Sequence, residues 1–588
     1  MGFLLGIGFI FIIYMWLAKC TQIAWIIGII WFVGYYIITN KYLKITSKPV
    51  QIFGIAVFIF GLFIITKIGA PQYKLVPAVD CDDPEKTEVI EIDQGKLTGV
   101  VNKEGTVEVF AGIPYAKAPI GDLRWKEPQE PEKWEGILEA DHFAPMSMQK
   151  RSSTIYNSLV DLVIYKKLNI GFKDNYLEPM SEDSLYLNIW KPKGDVEKLP
   201  VVVYIHGGTL LTGQSSYYAY NGETFAENGV IYVNIAYRLN IFGYYANEEL
   251  ANESENGTTG NYGLLDQIMA LKWVNENIEA FGGDPDNITI AGESAGASSV
   301  NALCVSPLAK GLFKRAIAES SGITAVVPYH TFRTMESALE MGRNILNEFS
   351  VDSVGELRKI DAETLVNTSY SNSAMTVDGY AIVEDPYKTY EKGENNESAL
   401  LNGFNAHEAD VFNYFIEKIT PENIVSRLRN TYGDYAEEVA ALYPATNNRE
   451  AKNSFNQIMS ATWFAYSHYD WSRYLVEQGK PVYKYYFYKE SRGLSNNHAG
   501  ELPYVYGNLD KNPLAYTRSD EVLSDMMVKY WTNFAKYGDP NGSDVPEWKE
   551  YSQSENQVMG LGESIQMMED PYLNVYEIID KYQNDLRE

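Results

Sequence analysis

The sequence predicts a large α/β fold with a mostly parallel central sheet that is covered by helices on both faces. One observation is the continuous apolar run LPVVVYIHGG at 199–208, which ends in two glycines and is typical of a strand buried on both faces. A second is that such runs alternate with segments of helical spacing, for example LLDQIMALKWVNENIEAF at 264–281. A third is the glycine found where several of these runs end. Strand and helix in alternation predict a parallel sheet between two helical layers.

The N-terminal region differs from everything that follows it. Three apolar stretches, 3–18, 22–39 and 50–66, contain no ionised side chain, and each is close to the roughly 17–25 residues that cross the hydrocarbon of a bilayer. A cleaved signal peptide would begin with basic residues, whereas this chain opens MGFLLGIG. We therefore expect three transmembrane helices within residues 1–70, and a linker at 71–94 that leads into the soluble part.

The loop between the second and third stretches predicts the orientation of this region. It reads NKYLKITSK and carries three lysines, which favours the cytoplasmic side of a membrane. The soluble part, which follows the third stretch, is then expected on the extracytoplasmic side, with the lipid bilayer as a partner of the N-terminal helices.

The charge of the soluble part excludes one class of partner. Residues 1–70 contain five lysines and no acidic residue, so the remainder holds 44 basic and 77 acidic residues, a formal charge of −33. Nucleic-acid binding requires clustered Lys and Arg, and we expect no nucleic acid as a partner. The sequence also shows no cluster of metal ligands and no phosphate-binding loop, and we expect no metal or other cofactor.

Further runs predict the remaining strands of the sheet. They lie at 230–238, 287–294, 315–321, 399–406 and 482–489, with helical segments between them. Ligands of such sheets bind beyond the carboxyl ends of the strands, so we look for chemistry in the residues that follow each run.

A candidate nucleophile follows the run at 287–294. Gly292-Glu293-Ser294-Ala295-Gly296 stands between a predicted strand and a helix of small residues. In a G-x-S-x-G turn the serine hydroxyl is exposed on a sharp bend, and the flanking glycines relieve the crowding. Without this strand-to-helix context the five-residue pattern is weak, because glycine and serine are common residues.

A nucleophilic serine needs a histidine as base and an acid that orients the histidine. Of the histidines after Ser294, His498 lies in the polar loop SNNHAGELPYVYG that follows a strand, and is the best placed. His330 and His468 lie in a loop entry and a helix, and we interpret them as ordinary histidines. His407 neighbours the candidate acid Glu408 at the end of ALLNGFNA, and Asp410 is a rival acid two residues further on.

The glycines after His206 suggest a second element of acyl-transfer chemistry. Backbone N–H groups must face the oxyanion that develops in the transition state, and they usually come from the residue after the nucleophile and from a glycine-rich loop. Here these are Ala295 and the backbone of residues 207–209.

Many ordered motifs resemble the type-B carboxylesterase family, the cholinesterase-like branch of the α/β-hydrolases. The resemblance extends from about residue 95 to the end of the chain, which we predict to be one α/β-hydrolase domain at 95–588. It rests on FAGIPYAKAPIGDLRWKEP (110–128), SEDSLYLNIWKP (181–192), YRLNIFGY (237–244), GNYGLLDQ (260–267), FGGDPDNITIAGESAG (281–296), GLFKRAIAESS (311–321), GFNAHEA (403–409) and HAGELPYVYG (498–507).

The resemblance implies roles for individual residues. Ser294 would be the nucleophile, Glu408 the acid and His498 the base, and the oxyanion donors would fall on Gly208, Thr209 and Ala295. It also implies two buried ion pairs with structural roles, Arg124 with Glu182 and Arg238 with Asp266.

Thr209 departs from the family pattern, since it replaces the third glycine of the usual H-G-G-G. Its N–H can still donate, but its β-branched side chain restricts the backbone and occupies room. We hypothesise that Thr209 narrows the substrate site beside the acyl group and disfavours bulky substrates.

These expectations describe a membrane-anchored serine carboxylesterase that hydrolyses small-molecule carboxylic esters through an acyl-enzyme intermediate. Two alternatives stay open. Some cholinesterase-like domains are adhesion or receptor ectodomains that act by binding, although here all three triad positions are filled. The same triad also serves the hydrolysis of amides, lactones or carbamates.

Overall fold

The structure is a computed structural model that describes residues 2–41, 47–167, 172, 175–326, 332–415 and 418–588. The chain forms two compact units. The first contains Met1–Leu75 and Arg151–Pro179, and the second contains Val76–Lys150 and Met180–Glu588.

Three apolar helices occupy the N-terminal stretches: α1 (Gly2–Leu17), α2 (Gln22–Lys41) and α3 (Lys48–Ile68). By length and composition, α2 and α3 can each cross a membrane. Helix α1 has 16 residues, which at ~1.5 Å per residue falls short of the ~30 Å hydrocarbon layer. The expectation of three transmembrane helices is therefore supported for two of them and not for α1. Part of the lysine-bearing loop used to predict orientation, residues 42–46, lies outside the described residues.

The first unit also contains a segment that is distant in sequence. Helix α4 (Thr154–Val163) lies in it, and the strand Gln72–Tyr73 pairs in parallel with the strand Tyr176–Leu177. Ser153 caps α4, because its hydroxyl accepts a hydrogen bond from the N–H of Tyr156.

The second unit is built on one sheet of eleven strands. In chain order they are β1 (Val100–Val101), β2 (Val107–Pro114), β3 (Tyr186–Pro192), β4 (Leu199–Ile205), β5 (Ile231–Ile235), β6 (Gly283–Glu293), β7 (Arg315–Glu319), β8 (Leu400–Asn405), β9 (Val482–Phe487), β10 (Gln557–Leu561) and β11 (Ile565–Glu569). Their order across the sheet is β11-β10-β9-β8-β7-β6-β4-β5-β3-β2-β1. Strands β4 to β10 pair in parallel, and the antiparallel pairs lie towards the two edges. The mostly parallel sheet predicted from the sequence is confirmed.

Helices follow most of these strands, as the alternating pattern predicts. Those of the second unit are α5 (Glu223–Glu227), α6 (Asn240–Tyr244), α7 (Glu248–Glu253), α8 (Tyr262–Asn277), α9 (Ala295–Val305), α10 (Met335–Phe349), α11 (Val354–Leu357), α12 (Ala362–Leu365), α13 (Pro386–Glu391), α14 (Ile424–Tyr432), α15 (Ala436–Leu442), α16 (Asn448–Ser460), α17 (Tyr466–Glu477), α18 (Leu502–Val505), α19 (Arg518–Tyr537) and α20 (Leu573–Arg587). Short strands also pair outside the main sheet, among them Met146–Ser147 with Met180–Ser181.

Two apolar layers cover the sheet, one on each face. Strand β4 contributes to both, since Val201, Val203 and Ile205 pack in one layer and Val202 and Tyr204 in the other. This alternation explains why its sequence is apolar at every position.

The two ion pairs implied by the resemblance are present; the Arg238–Asp266 pair is buried, and Glu182 of the other pair is partly exposed. Arg124 donates to both carboxylate oxygens of Glu182, at 2.5 and 2.6 Å. Arg238 does the same with Asp266, at 2.7 and 2.8 Å, and also donates to the carbonyl oxygen of Lys126. In each pair both carboxylate oxygens accept from the guanidinium, so the pairs hold loops next to the sheet.

Candidate active site

The candidate residues lie where parallel strands end. Ser294 follows β6, Glu408 comes three residues after β8, and His498 lies in the loop after β9. Strands β6, β8 and β9 run in the same direction, so their carboxyl ends meet at one edge of the sheet.

Ser294 occupies a strained turn between β6 and α9. Its φ is 56° and its ψ is −126°, a conformation that an L-residue rarely adopts. The turn is fixed by a hydrogen bond from the Ser294 N–H to the carbonyl oxygen of Glu319 at 2.8 Å. The chain at Gly296 passes so close to β4 that a Cβ there would lie 2.0 Å from the carbonyl oxygen of Ile205. The glycines of the motif are thus required by the close approach of helix and strand.

The three predicted triad residues form one chain of hydrogen bonds. His498 Nε2 lies 2.8 Å from Ser294 Oγ, and His498 Nδ1 lies 2.6 Å from Glu408 Oε2. The second oxygen of Glu408 accepts a hydrogen bond from the N–H of Asn405 at 2.7 Å, and the Glu408 side chain is fully buried. This geometry allows His498 to take a proton from Ser294 while Glu408 holds the imidazole in the required tautomer.

The rival residues make other contacts. Asp410 Oδ1 lies 3.6 Å from His407 Nδ1, and both of these side chains are partly exposed. His468 is buried, and burial lowers its pKa to about 3, so it stays neutral. His330 lies outside the described residues.

The loop after β4 brings backbone donors next to the nucleophile. A Cβ on Gly207 would lie 3.0 Å from Ser294 Cβ, so the loop and the serine are in direct contact. Gly208 and Thr209 have φ of 107° and 58°, and their N–H groups donate to no other residue within the described ranges. The N–H of Ala295, the first residue of α9, has no partner there either, as is usual at a helix N-terminus. The three N–H groups are thus without an acceptor among the described residues, and they stay candidate donors to an oxyanion.

Sequence reasoning missed a group of buried carboxylates around His498. Glu293 Oε1 lies 3.2 Å from His498 Nε2, the nitrogen that also faces Ser294. Glu501 accepts hydrogen bonds from Asn405 and Ser320, and Glu319 accepts one from Trp531. The signal was present, because Glu293 lies inside the nucleophile motif and Glu501 inside HAGE, but no spacing rule assigns a function to either residue.

These carboxylates alter one another's ionisation. Burial raises the pKa of Glu293 to about 7, and the charge of Glu408 adds to this effect. Burial together with the charges of Glu293 and Glu408 raises the pKa of Glu501 to about 8. Burial would lower the pKa of His498, but Glu293 and Glu408 outweigh it and raise the value to about 9. Since Glu293 and His498 are in contact, they titrate as a coupled pair.

Aromatic side chains pack against the imidazole of His498. The ring of Phe464 lies 4.7 Å from the imidazole, centroid to centroid, and the ring of Phe412 lies 5.1 Å from it. Phe464 belongs to a π-helical turn at Ala461–Ala465, between α16 and α17. Such turns are frequent at functional sites, and this one places the apolar ring of Phe464 beside His498.

Comparison with known proteins identifies the family of the chain. The carboxylesterase family model matches residues 86–579. The fumonisin B1 esterase of Sphingopyxis macrogoltabida is 31% identical over 517 residues, which cover 83% of this chain and 88% of that protein. The para-nitrobenzyl esterase of Bacillus subtilis (strain 168) is 32% identical, with 82% of this chain and 96% of that protein covered.

A solved structure is similar over most of this chain. The crystal structure of the carboxylesterase EST55 of Geobacillus stearothermophilus at pH 6.2 superposes with a TM-score of 0.72 and 32% identity. The match covers 84% of this chain and 100% of that one, and it supports the α/β-hydrolase fold. The chain therefore belongs to the carboxylesterase family, and it is a carboxylic ester hydrolase.

Proposed function

We propose that the protein is a membrane-anchored serine carboxylesterase in which Ser294, His498 and Glu408 form the catalytic triad. The observation that carries this proposal is the unbroken hydrogen-bond chain from Ser294 Oγ through both nitrogens of His498 to Glu408, at 2.8 and 2.6 Å. In acyl transfer each of these three groups has a defined task.

The reaction proceeds in two halves. Ser294 Oγ attacks the ester carbonyl while His498 Nε2 takes its proton, and the alcohol leaves with that proton from His498. Water then attacks the acyl-enzyme in the same way, and the carboxylic acid is released. The buried Glu408 stabilises the imidazolium that forms in each half.

The N–H groups of Gly208, Thr209 and Ala295 stabilise the tetrahedral oxyanion. The loss of one such donor typically costs roughly 3–4 kcal/mol of transition-state stabilisation, so their placement is as important as the triad. Thr209 Oγ1 donates to the carbonyl oxygen of Gly208 at 2.7 Å, and this bond fixes its side chain beside the donors. We infer that the side chain restricts the size of the substrate.

The N-terminal helices anchor the enzyme to a membrane. Large apolar side chains of α2 and α3 are exposed around the helices, for instance Ile26, Ile30, Phe53 and Phe60. A buried helix of a soluble core would have these side chains covered by protein, whereas a lipid environment covers them from all sides. The lysines between α2 and α3 favour a cytoplasmic loop, which leaves the catalytic domain on the extracytoplasmic side.

The full-length protein in detergent tests the catalytic proposal, with p-nitrophenyl acetate, butyrate and octanoate as substrates. We expect turnover that the Ser294→Ala protein lacks, and covalent labelling by a fluorophosphonate that the same substitution abolishes. Turnover that persists in Ser294→Ala would reject the nucleophile. A folded protein with neither turnover nor labelling would favour the binding ectodomain. Turnover of amides, lactones or carbamates alone would favour the second alternative.

A further inference from the structure

Residues 151–179 interrupt the second unit and fold with the N-terminal helices instead. On either side of this segment, the strands Met146–Ser147 and Met180–Ser181 pair in parallel. Between them the chain forms α4 and the strand Tyr176–Leu177, which pairs with Gln72–Tyr73 directly after α3. A part of the hydrolase sequence thus belongs to the same compact unit as the apolar helices.

The segment is attached at one common end of these helices. Ser158 Oγ donates to the carbonyl oxygen of Leu17, the last residue of α1, at 2.8 Å. Asn175 Nδ2 donates to the carbonyl oxygen of Cys20, just before α2, at 3.0 Å. The N–H of Thr21 in turn donates to the carbonyl oxygen of Gly69, which follows α3, at 2.9 Å. If α2 and α3 cross a bilayer, this end is where the chain leaves the hydrocarbon, at the level of the head groups.

Helix α4 turns an apolar face outward at this level. Ser158 faces the other helices, whereas Tyr156, Leu159 and Val163 are exposed at positions i, i+3 and i+7 of one helical face. Ile164 is exposed directly after the helix. In water such a face would normally carry charged or polar side chains.

The flanks of α4 are basic although the protein is strongly acidic. Residues 150–167 contain Lys150, Arg151, Lys166 and Lys167 against a single acidic residue, Asp161, a formal charge of +3. An apolar helical face with basic flanks fits the surface of a membrane that contains anionic lipids, because apolar side chains enter the head-group layer and cations remain near the phosphates.

We propose that α4 lies in the head-group layer of the membrane, with Tyr156, Leu159, Val163 and Ile164 in contact with lipid, and that the enzyme takes ester substrates from this layer. This proposal rests on the proposed membrane anchoring and esterase function. The expected substrates are esters that partition into the bilayer.

The chain just before the segment contacts the proposed oxyanion loop. Gln149, two residues before the segment, donates to the carbonyl oxygen of Gly213 at 2.7 Å and accepts from its N–H at 3.0 Å. Gly213 lies in the same loop as Gly208 and Thr209, and a Cβ on it would lie 2.2 Å from the ring of His206. The chain that precedes the segment is therefore bonded to the loop that contains Gly208 and Thr209.

Collisional quenching tests the position of α4 without any need for catalysis. The full-length protein with Cys81→Ser and Leu159→Cys, labelled with a fluorophore, is placed in nanodiscs of phosphatidylcholine and phosphatidylglycerol that contain a shallow doxyl-labelled lipid. Leu514→Cys is the matched control, because Leu514 is an exposed leucine of the second unit (56%, against 41% for Leu159). We expect at least threefold stronger quenching at position 159 than at 514. Equal quenching at the two positions would overturn the proposal.

Turnover of two substrates tests the consequence for function. Leu159→Glu with Val163→Glu is expected to lower kcat/KM for a long-chain ester dissolved in the nanodisc about tenfold, and to leave p-nitrophenyl acetate in solution within twofold. Leu514→Glu with Val522→Glu, at exposed apolar positions elsewhere, should change neither value. An unchanged ratio of the two substrates in the α4 variant would reject uptake from the bilayer, while wild-type turnover of the acetate would leave the esterase proposal intact. If the α4 variant loses both activities, the comparison of quenching at positions 159 and 514 decides whether α4 lies in the head-group layer.

Discussion

Glu293 Oε1 lies 3.2 Å from Nε2 of His498, on the nitrogen that also contacts the Ser294 hydroxyl. The proposed base thus has carboxylates on both nitrogens, since Glu408 contacts Nδ1. Each negative charge favours the protonated imidazolium, which is the form that accumulates in the transition state. The same charges also raise the pKa of His498 to about 9, against the effect of burial, and a protonated histidine cannot act as a base.

The first prediction concerns the two effects of Glu293, which stabilises the imidazolium but also raises the pKa of the base. Glu293→Gln removes one of the charges that raise the pKa of His498, so the pKa should fall. Because the base is active when deprotonated, the acidic limb of the kcat/KM profile against pH should move to lower pH by about one unit or more. The maximal rate should fall as well, since imidazolium formation loses a stabilising charge. A limb that stays in place, or moves to higher pH, would contradict a direct effect of Glu293. Asp410→Asn is the control, because Asp410 contacts His407 and should leave the profile unchanged.

The second prediction separates the two candidate acids. Glu408→Gln keeps the shape of the side chain but presents an amide to His498 Nδ1, which disturbs the tautomer and removes the buried charge. By analogy with other triads, kcat should fall about 10³- to 10⁴-fold. Asp410→Asn should retain kcat within about twofold, since this carboxylate is partly exposed and pairs with His407. The reverse pattern would transfer the role of the acid to Asp410.

Much of the candidate site could be predicted from the sequence, because the residue patterns that mark it are local. The turn at Ser294 needs glycines on both sides of the serine, and the apolar run before it marks a buried strand. Glu408 and His498 each follow a strand, and parallel strands bring such residues to one edge of the sheet. The choice between Glu408 and Asp410 was not available from spacing. It depends on which carboxylate the backbone directs towards His498. The N–H of Asn405 donates to one oxygen of Glu408 and so holds this carboxylate in place for His498.

Other features depend on contacts between distant residues, which no periodic pattern records. Glu293 comes within 3.2 Å of His498, and burial together with the neighbouring charges shifts the pKa values of both groups. The packing of residues 151–179 on the N-terminal helices was also not predicted. Helix α4 is apolar on an exposed face, and the sequence alone does not reveal which element lies behind its other face.

The third prediction concerns Thr209. A β-branched residue at φ 58° is strained, and glycine would relieve roughly 1–2 kcal/mol of this strain while keeping the N–H donor. For Thr209→Gly we expect kcat/KM for the octanoate ester to rise several-fold relative to the acetate, because the side chain no longer occupies the site. Thr209→Ser is the matched control: it keeps the hydroxyl that bonds to Gly208 and removes only the methyl group. An unchanged ranking of acyl lengths in Thr209→Gly would show that Thr209 does not restrict the substrate.

The fourth prediction concerns the two parts of the first unit. Deletion of residues 1–70 alone removes the helices on which α4 packs. It also removes the carbonyl oxygens of Leu17 and Cys20, to which the side chains of Ser158 and Asn175 donate. We expect this protein to aggregate, since apolar surface on both faces of α4 is then exposed. Deletion of residues 151–179 as well removes that surface; because the strands Met146–Ser147 and Met180–Ser181 are parallel, a glycine-rich linker of about a dozen residues joins Lys150 to Met180. The doubly shortened protein should be monomeric by size-exclusion chromatography and should hydrolyse p-nitrophenyl acetate. If the protein lacking only residues 1–70 is equally monomeric and equally stable to heat, residues 151–179 do not depend on the N-terminal helices for their fold.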